Sequence, residues 1–357
     1  MRNLFLIAVF ILGSFFNQVF SQNFLWNANL RPFFQNTEFG FSKVQMPQTM
    51  AGVHLAPEVG VGWDENKHRI FAGVDVMHEW GSNKMIDFSD ITAYYEYDGK
   101  PFRFYAGAFP RHLTLEKYPR MFFQDSINNY RPIINGFFLE FNSNRDYLNL
   151  WLDWTSRQTT ERHEAFFMGW SGRYNFDFLY GQHFGYMFHY AGVMNPQIEE
   201  GLHDNGLALT SLGVDFAPKT EFEKLEANIG WSVGLERDRS IGNWHFPHGL
   251  VSEIKIEYQG LGLHNTYYRG KSQQVFYGNY GNKLYWGDPI YRSKEYNRSD
   301  FYISFLDTDF ATIKVIYSLH FTEQTVYHDQ SFSASFNLGN LKRKKSKNYR
   351  HLWDKWF

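Results

Sequence analysis

The chain is 357 residues long, has a formal net charge of −2 and contains no cysteine. That excludes a disulfide framework, thiolate zinc sites, a cysteine nucleophile and a lipid-modified N-terminal cysteine. It also excludes nucleic acid as a partner, which would call for a strong basic excess. Aromatic residues make up 20% of the chain although its mean hydropathy is −0.46, as expected where apolar and polar residues alternate along strands and cancel in the average.

The first residues set the compartment. Arg2 precedes an apolar run from Leu4 to Phe16, followed by Val19, Phe20 and Ser21. This predicts a secretory signal peptide over 1–21, too short for a spanning helix. No later stretch forms a continuous apolar span.

Alternation follows. Val53, Leu55, Val59, Val61 and Trp63 oppose His54 and Glu58; Ile70, Ala72, Val74 and Val76 oppose Asp75 and Glu79. Leu225, Ala227, Ile229, Trp231, Val233 and Leu235 oppose Glu226 and Asn228, and Ile313, Val315, Tyr317 and Leu319 oppose Lys314 and Ser318. Each run is about ten residues, the length a tilted strand needs to cross a bilayer. The same reading places strands near 35–43, 51–63, 68–80, 86–97, 102–109, 133–142, 146–156, 163–173, 176–190, 205–217, 222–236, 250–259, 262–270, 299–307, 310–322 and 327–338. Connections after even-numbered strands are short and turn-like, such as Asp64 to Lys67, Asp98 to Pro101 and Asn142 to Arg145; those after odd-numbered strands are longer, such as Asp238 to Gly249 and Lys271 to Arg298. Short turns on one rim and long loops on the other mark an outer-membrane barrel. Soluble β-proteins also alternate, but they have no reason to sort their connections, and no blade-length repeat supports a propeller.

The expectation is an all-β protein: a transmembrane antiparallel up-and-down β-barrel of about sixteen strands over 22–340, with short periplasmic turns and long extracellular loops, lying in the lipid of the cell outer membrane. Residues 341–357 form a basic, aromatic tail on the periplasmic side.

The connection after the fifth strand, AFPRHLTLEKYPRMFFQDSINNYRP from Ala108, is too long and too aromatic for a simple link. Leu113, Leu115, Met121, Phe122 and Phe123 would be hard to leave in water as one patch. Folded into the lumen they would be covered, and Arg111, Lys117, Arg120 and Arg131 would face Glu116, Asp125 and the wall carboxylates Asp75, Glu79 and Asp153. Glu226, Lys255 and Lys314 add further charges to the lumen wall. Opposed charges across a narrow gap create a transverse field that sorts polar solutes. The competing reading is a loop packed on the outer rim, its charges solvated.

Phe104-Tyr-Ala-Gly-Ala-Phe-Pro-Arg111, within the strand-loop-strand run from Phe102 to Phe141 and followed by Tyr147 to Trp154, resembles porins of Gram-negative outer membranes: the sixteen-stranded porins and the phosphate-selective group. The resemblance implies a third outer loop that folds into the lumen as the constriction, and passive diffusion of small polar solutes. The chain departs from it in lacking a one-sided ladder of arginines and lysines, so the solute class does not carry over, and in its basic tail.

Other features carry less. In GLHDNG, similar to the His-x-Ser-Asn-Gly stretch of outer-membrane phospholipases, Asp204 stands where the serine nucleophile belongs, and without a nucleophile there is no acyl-enzyme. His245 and His248 lack further ligands nearby, so neither a metal nor another cofactor is expected. The aromatics of loop 271–298 suit sugars, a surface partner or a homo-oligomer contact, or a self-packed lid. The terminal Phe357 resembles the aromatic end through which barrels are recognised for assembly, but it sits well past the last strand. The reading is a passive channel with no enzymatic activity. Its rivals are a non-conducting barrel acting as scaffold or partner in an envelope complex, a membrane hydrolase and a secreted β-protein.

Overall fold

The structure, a computed structural model, describes residues 22–143, 145–195, 202–341 and 351. The expected signal peptide and all of the tail except residues 341 and 351 lie outside the described residues.

Sixteen strands run in chain order: β1 (Asn23–Glu38), β2 (Gln48–Trp63), β3 (His68–Glu79), β4 (Phe88–Asp98), β5 (Phe102–Pro110), β6 (Ile133–Ser143), β7 (Asp146–Ser156), β8 (Ala165–Phe176), β9 (Leu179–Tyr190), β10 (His203–Asp215), β11 (Lys224–Asp238), β12 (His248–Tyr258), β13 (Leu261–Gly270), β14 (Glu295–Asp307), β15 (Ala311–Thr322) and β16 (Val326–Gly339). Each pairs antiparallel with its chain neighbours, and β1 pairs with β16 to close the barrel. Closure leaves no unpaired edge, the condition for strands in a bilayer. This is a porin-like outer-membrane β-barrel.

The clearest boundary difference is β1, which begins at Asn23 rather than near residue 35. Pro32 argues against a strand there because it cannot donate to a ladder. The barrel accommodates it at a gap: the β1–β16 register runs Asn27 to Leu30, then resumes at Phe33. Elsewhere alternation sorts the faces as a membrane barrel requires. Exposed Leu55, Val59, Ile70, Leu150, Met168, Leu212, Ile229 and Ile254 point outward, while Glu58, Asp75, Glu96, Glu140, Asp153 and Glu253 are buried inside.

The lumen is not empty. On the β3–β9 side it is filled by inward aromatics in ring contact, among them Phe71 with Tyr94 (5.5 Å), Tyr105 with Phe109 (5.4 Å) and Phe167 with Phe188 (4.0 Å). Gly169 makes room for this wall, since a Cβ there would stand 2.2 Å from the Trp151 indole. Two extracellular loops, 111–132 and 271–294, fold inward onto the same wall.

Candidate functional site: a charged lumen under two interlocked loops

Pro110 ends β5, and the chain turns inward through a 3-10 turn, Arg111–Leu113, and later a short helix, Asp125–Tyr130. Arg111 pins the two ends of the loop. Its backbone N–H donates to Pro132 O (2.7 Å), its Nε donates to Arg131 O (2.8 Å), and its Nη2 donates to the buried Asp153 carboxylate of β7. Farther along, Trp151 Nε1 donates to Tyr118 Oη at 2.7 Å, and Lys117 Nζ lies 3.8 Å from the centre of the Tyr147 ring. Phe122, Met121 and Phe123 are buried against the aromatic wall. Arg120 then forks onto Asp125 (2.8 and 3.0 Å) and donates to Asp300 on β14 at 2.8 Å. As β14 is seven strands away round the closed sheet, the loop crosses the lumen.

The loop at 271–294 is held by a different device. Glu236, an inward carboxylate on β11, accepts from Gln274 N (3.1 Å), Val275 N (2.8 Å) and Tyr285 Oη (2.5 Å). Asn205 Nδ2 donates to Leu284 O at 2.9 Å. Trp286 sits edge-on to Phe167 at 4.8 Å with the Arg111 guanidinium 5.3 Å above its ring, a cation–π contact. The two loops bond directly to each other: Gln124 N donates to Trp286 O (2.8 Å), and Asp288 N to Arg120 O (2.9 Å).

Arg298 of β14 lies beneath this junction and is buried. Its Nε donates to Asp300 (2.6 Å) and its Nη2 to Ser318 Oγ (3.1 Å), with Asp125 at 3.8 Å and Asp288 at 3.9 Å. The two loop carboxylates respond differently. Burial raises the pKa of Asp125, but Arg120 and Arg298 outweigh it and hold the group below its ordinary value. For Asp288 burial wins over the attraction of Arg298, and its pKa lies above the ordinary value.

A cavity of about 640 Å³ runs from Arg145, in the periplasmic turn after β6, up to the underside of the loops. Glu116, Lys117, Arg120, Asp125, Glu226, Lys255 and Lys314 all line it. Most of its charges are paired: Arg173 with Asp215 and Glu226 (3.0 Å each) and Lys255 with Glu253 (3.4 Å). Lys314 instead lies 3.7 Å from the centre of the Tyr302 ring. The other sequence-predicted residues are not in this cavity. Asp153 holds Arg111, Arg131 supplies the carbonyl that Arg111 Nε binds, Glu79 accepts from Tyr130 Oη (2.5 Å), and Asp75 binds Arg31 and His54. Asp153, Arg131 and Glu79 fasten the ends and flank of the loop, whereas Asp75 reaches it only through Arg31, whose Nη1 lies 3.3 Å from His112 Nδ1. A second void of about 30 Å³, towards β1, shares Asp125, Asp288 and Arg298 with the large one, so these three residues form the partition.

Sequence reasoning missed Arg298, Asp300 and Asp288, and it placed Glu236 on the polar face of its strand without giving it a role. The spacing of Arg298 and Asp300, two apart and on one face of a strand, was the available signal. Loop 271–294 is not an external aromatic platform: Tyr285, Trp286 and Tyr291 are buried in the lumen, as is Tyr296 at the start of β14, whereas Phe276, Tyr277 and Tyr280 stay half-buried.

Acyl transfer has geometric requirements that can be checked against the histidines. His54 Nδ1 meets Asp75 at 2.6 Å, a base-and-orienter pair, but its buried Nε2 has no hydrogen-bond partner. Thr266 Oγ1 lies 3.4 Å from His264 Nε2, yet Glu253 approaches that same nitrogen at 3.2 Å. Hydroxyl and carboxylate compete for one ring nitrogen instead of occupying opposite ends, so no proton relay forms. Asp204, in the phospholipase-like stretch, is clasped by Arg239 (2.7 Å) and Arg237 (3.1 Å). No group of three or more metal-ligating side chains occurs among the described residues.

The family described as lipid A 3'-O-deacylase-type matches residues 18–349. The chain belongs to that family. No curated protein matches the chain in sequence. Among solved structures it is similar to three Pseudomonas aeruginosa proteins. OccK5 (OpdH) has 8% identity, a TM-score of 0.52 and coverage of 89% of this chain and 99% of that one. The outer membrane protein opdK has 9% identity, a TM-score of 0.51 and the same coverage. OccK9 (OpdG) has 10% identity, a TM-score of 0.51 and coverage of 89% and 98%. At such identities the likeness is one of fold. The porin-like barrel expected from the sequence is what these structures share, whereas the family's description names an acyl hydrolase, a class the sequence reading had set aside.

Proposed function

We propose that the protein is an outer-membrane channel for passive diffusion of small polar solutes, with loop 111–132 setting the narrowest cross-section. The observation that carries this reading is the charged cavity beneath the loops, which reaches the periplasmic turns and ends at the Asp125–Asp288–Arg298 partition. Charges of both signs facing one another there favour polar over apolar solutes. Single-channel conductance of the refolded barrel in a planar bilayer, under a salt gradient, tests it. Ohmic steps that grow or change ion preference when Leu113–Asn128 is deleted are the expected result. A folded barrel that stays silent with and without the loop defeats the channel reading.

A second reading rests on the family match across residues 18–349: ester hydrolysis on an outer-leaflet glycolipid. The buried His54–Asp75 pair is the best available general base. Release of fatty acid from lipid A by the purified barrel, abolished in His54→Gln, would favour it over the channel. Absence of release from a folded barrel in mixed micelles would remove it.

A further inference from the structure

The outward face of β13 and β14 breaks the apolar belt. Asn265, Asn297 and Ser299 point to the lipid side and are half-buried. Asn265 Nδ2 donates to Asn297 Oδ1 and to Ser299 Oγ, both at 2.8 Å. Tyr267 continues the row upward, its hydroxyl donating to Glu295 at 2.7 Å. The register shows how abrupt the change is. Asn265 pairs with Ile254 of β12, Ser299 with Leu319 of β15 and Asn297 with Phe321 of β15; one step lower, Leu263 pairs with Phe301. Apolar groups therefore flank the amides on both sides and below.

The geometry points to this notch as a contact between two copies of the chain. Asn265 Nδ2 is satisfied within its own barrel, by Asn297, Ser299 and the Arg298 carbonyl. A polar cluster on an otherwise apolar outer face is nonetheless the kind of group that joins membrane segments to one another. The chemistry fits a second copy better than an anionic lipid headgroup. The notch holds donors and acceptors in one cluster, and its single cation, Arg269, is in register with Glu295, both of them exposed. A basic patch would be needed for phosphate, whereas a net-neutral patch with both charge signs is self-complementary. In a two-fold contact about an axis along the membrane normal, the same patch serves both partners. The guanidinium side of one copy then turns towards the carboxylate side of the other. This contact is independent of whether the lumen conducts.

The absence of cysteine gives a clean background for a test. Ser299→Cys would be treated with a short thiol-to-thiol cross-linker in intact outer membranes, with Leu150→Cys, outward on the far side of the barrel, as control. The expected result is an adduct of twice the chain mass for the first variant and none for the second, lost when Asn265→Leu and Asn297→Leu are added to Ser299→Cys. Heat-modifiable mobility on gels would confirm that every variant is a folded barrel. No adduct from folded Ser299→Cys would overturn the contact. So would equal adducts from both cysteine sites, an adduct with a different protein, or an adduct that survives the leucine substitutions.

Discussion

The two infolded loops do similar work by different means. Loop 111–132 crosses the lumen on charge: Arg111 on Asp153 at one end, and Arg120 on Asp125 and Asp300 at the other. Loop 271–294 is wedged by aromatics, Tyr285 and Trp286, and tied to one wall carboxylate, Glu236. They meet at two backbone hydrogen bonds and share Arg298 beneath. Salt acts first on the charged clasps of 111–132 and loss of volume first on the aromatic wedge of 271–294, while pH reaches both through Asp125 and Asp288. The difference assigns each loop its own perturbation.

The largest effect belongs to the residue both loops share. Arg298→Ala leaves Asp288 buried without its paired guanidinium and Asp300 with Arg120 alone, and should cost about 3 kcal/mol, the low end of the range for breaking a buried ion network. Urea unfolding of the refolded barrel measures it, and conductance should rise because the partition loses its central cation. A loss under about 1 kcal/mol, the value of an exposed pair, would mean the network is hydrated and the loops are held elsewhere.

Trp286→Ala comes next. It removes a buried indole packed on Phe167 and Phe123 and bearing Arg111. The expected loss is about 3 kcal/mol, the low end for large-to-alanine changes. Protease nicking confined to 271–294, with 111–132 still protected, would show that the wedge holds its own loop. Equal exposure of both loops would show that they open as one unit.

Asp125→Asn is smaller. Its side chain is 41% exposed, so screening reduces the clasp with Arg120 to about 1 kcal/mol. The readout is the salt dependence of conductance: wild type should open further as ionic strength rises, and the variant should be open at all salts.

These differences explain what could be read from the sequence. Strand number and rim assignment were legible because period-two alternation and sorted connection lengths are local. The inward path of 111–132 was legible too, because Met121-Phe-Phe123 beside Arg120 and Asp125 fits neither solvent nor lipid. Loop 271–294 was not. Its aromatics are spaced by Gly278, Asn279, Gly281 and Asn282, residues that also build exposed platforms. What turns it inward is Glu236, 38 residues before Gln274. β1 was misplaced for a related reason: the ladder gap that tolerates Pro32 lies opposite β16, at the other end of the chain. Alternation marks the inward face of a strand, but not which inward charge will anchor a distant segment.

The smallest effect is the response to acid, and its sign separates the two loops. Asp125 has a lowered pKa, so its contribution to the closed arrangement is fully present above the ordinary aspartate value of about 3.9 and is lost as pH falls through its depressed value. Asp288 has a raised pKa, so its contribution is present below that ordinary value and is lost as pH rises through its elevated one. Acidification from neutrality to about pH 4 should therefore protonate Asp288 first and hold the loops as closed or tighter. Only stronger acid should release Asp125 and open the lumen. Conductance should stay level or fall slightly down to that point and then rise. Asp288→Asn should abolish the fall and Asp125→Asn the later rise. A steady increase from neutral pH downward would show that a different carboxylate holds the loops, with Glu236 the first to substitute.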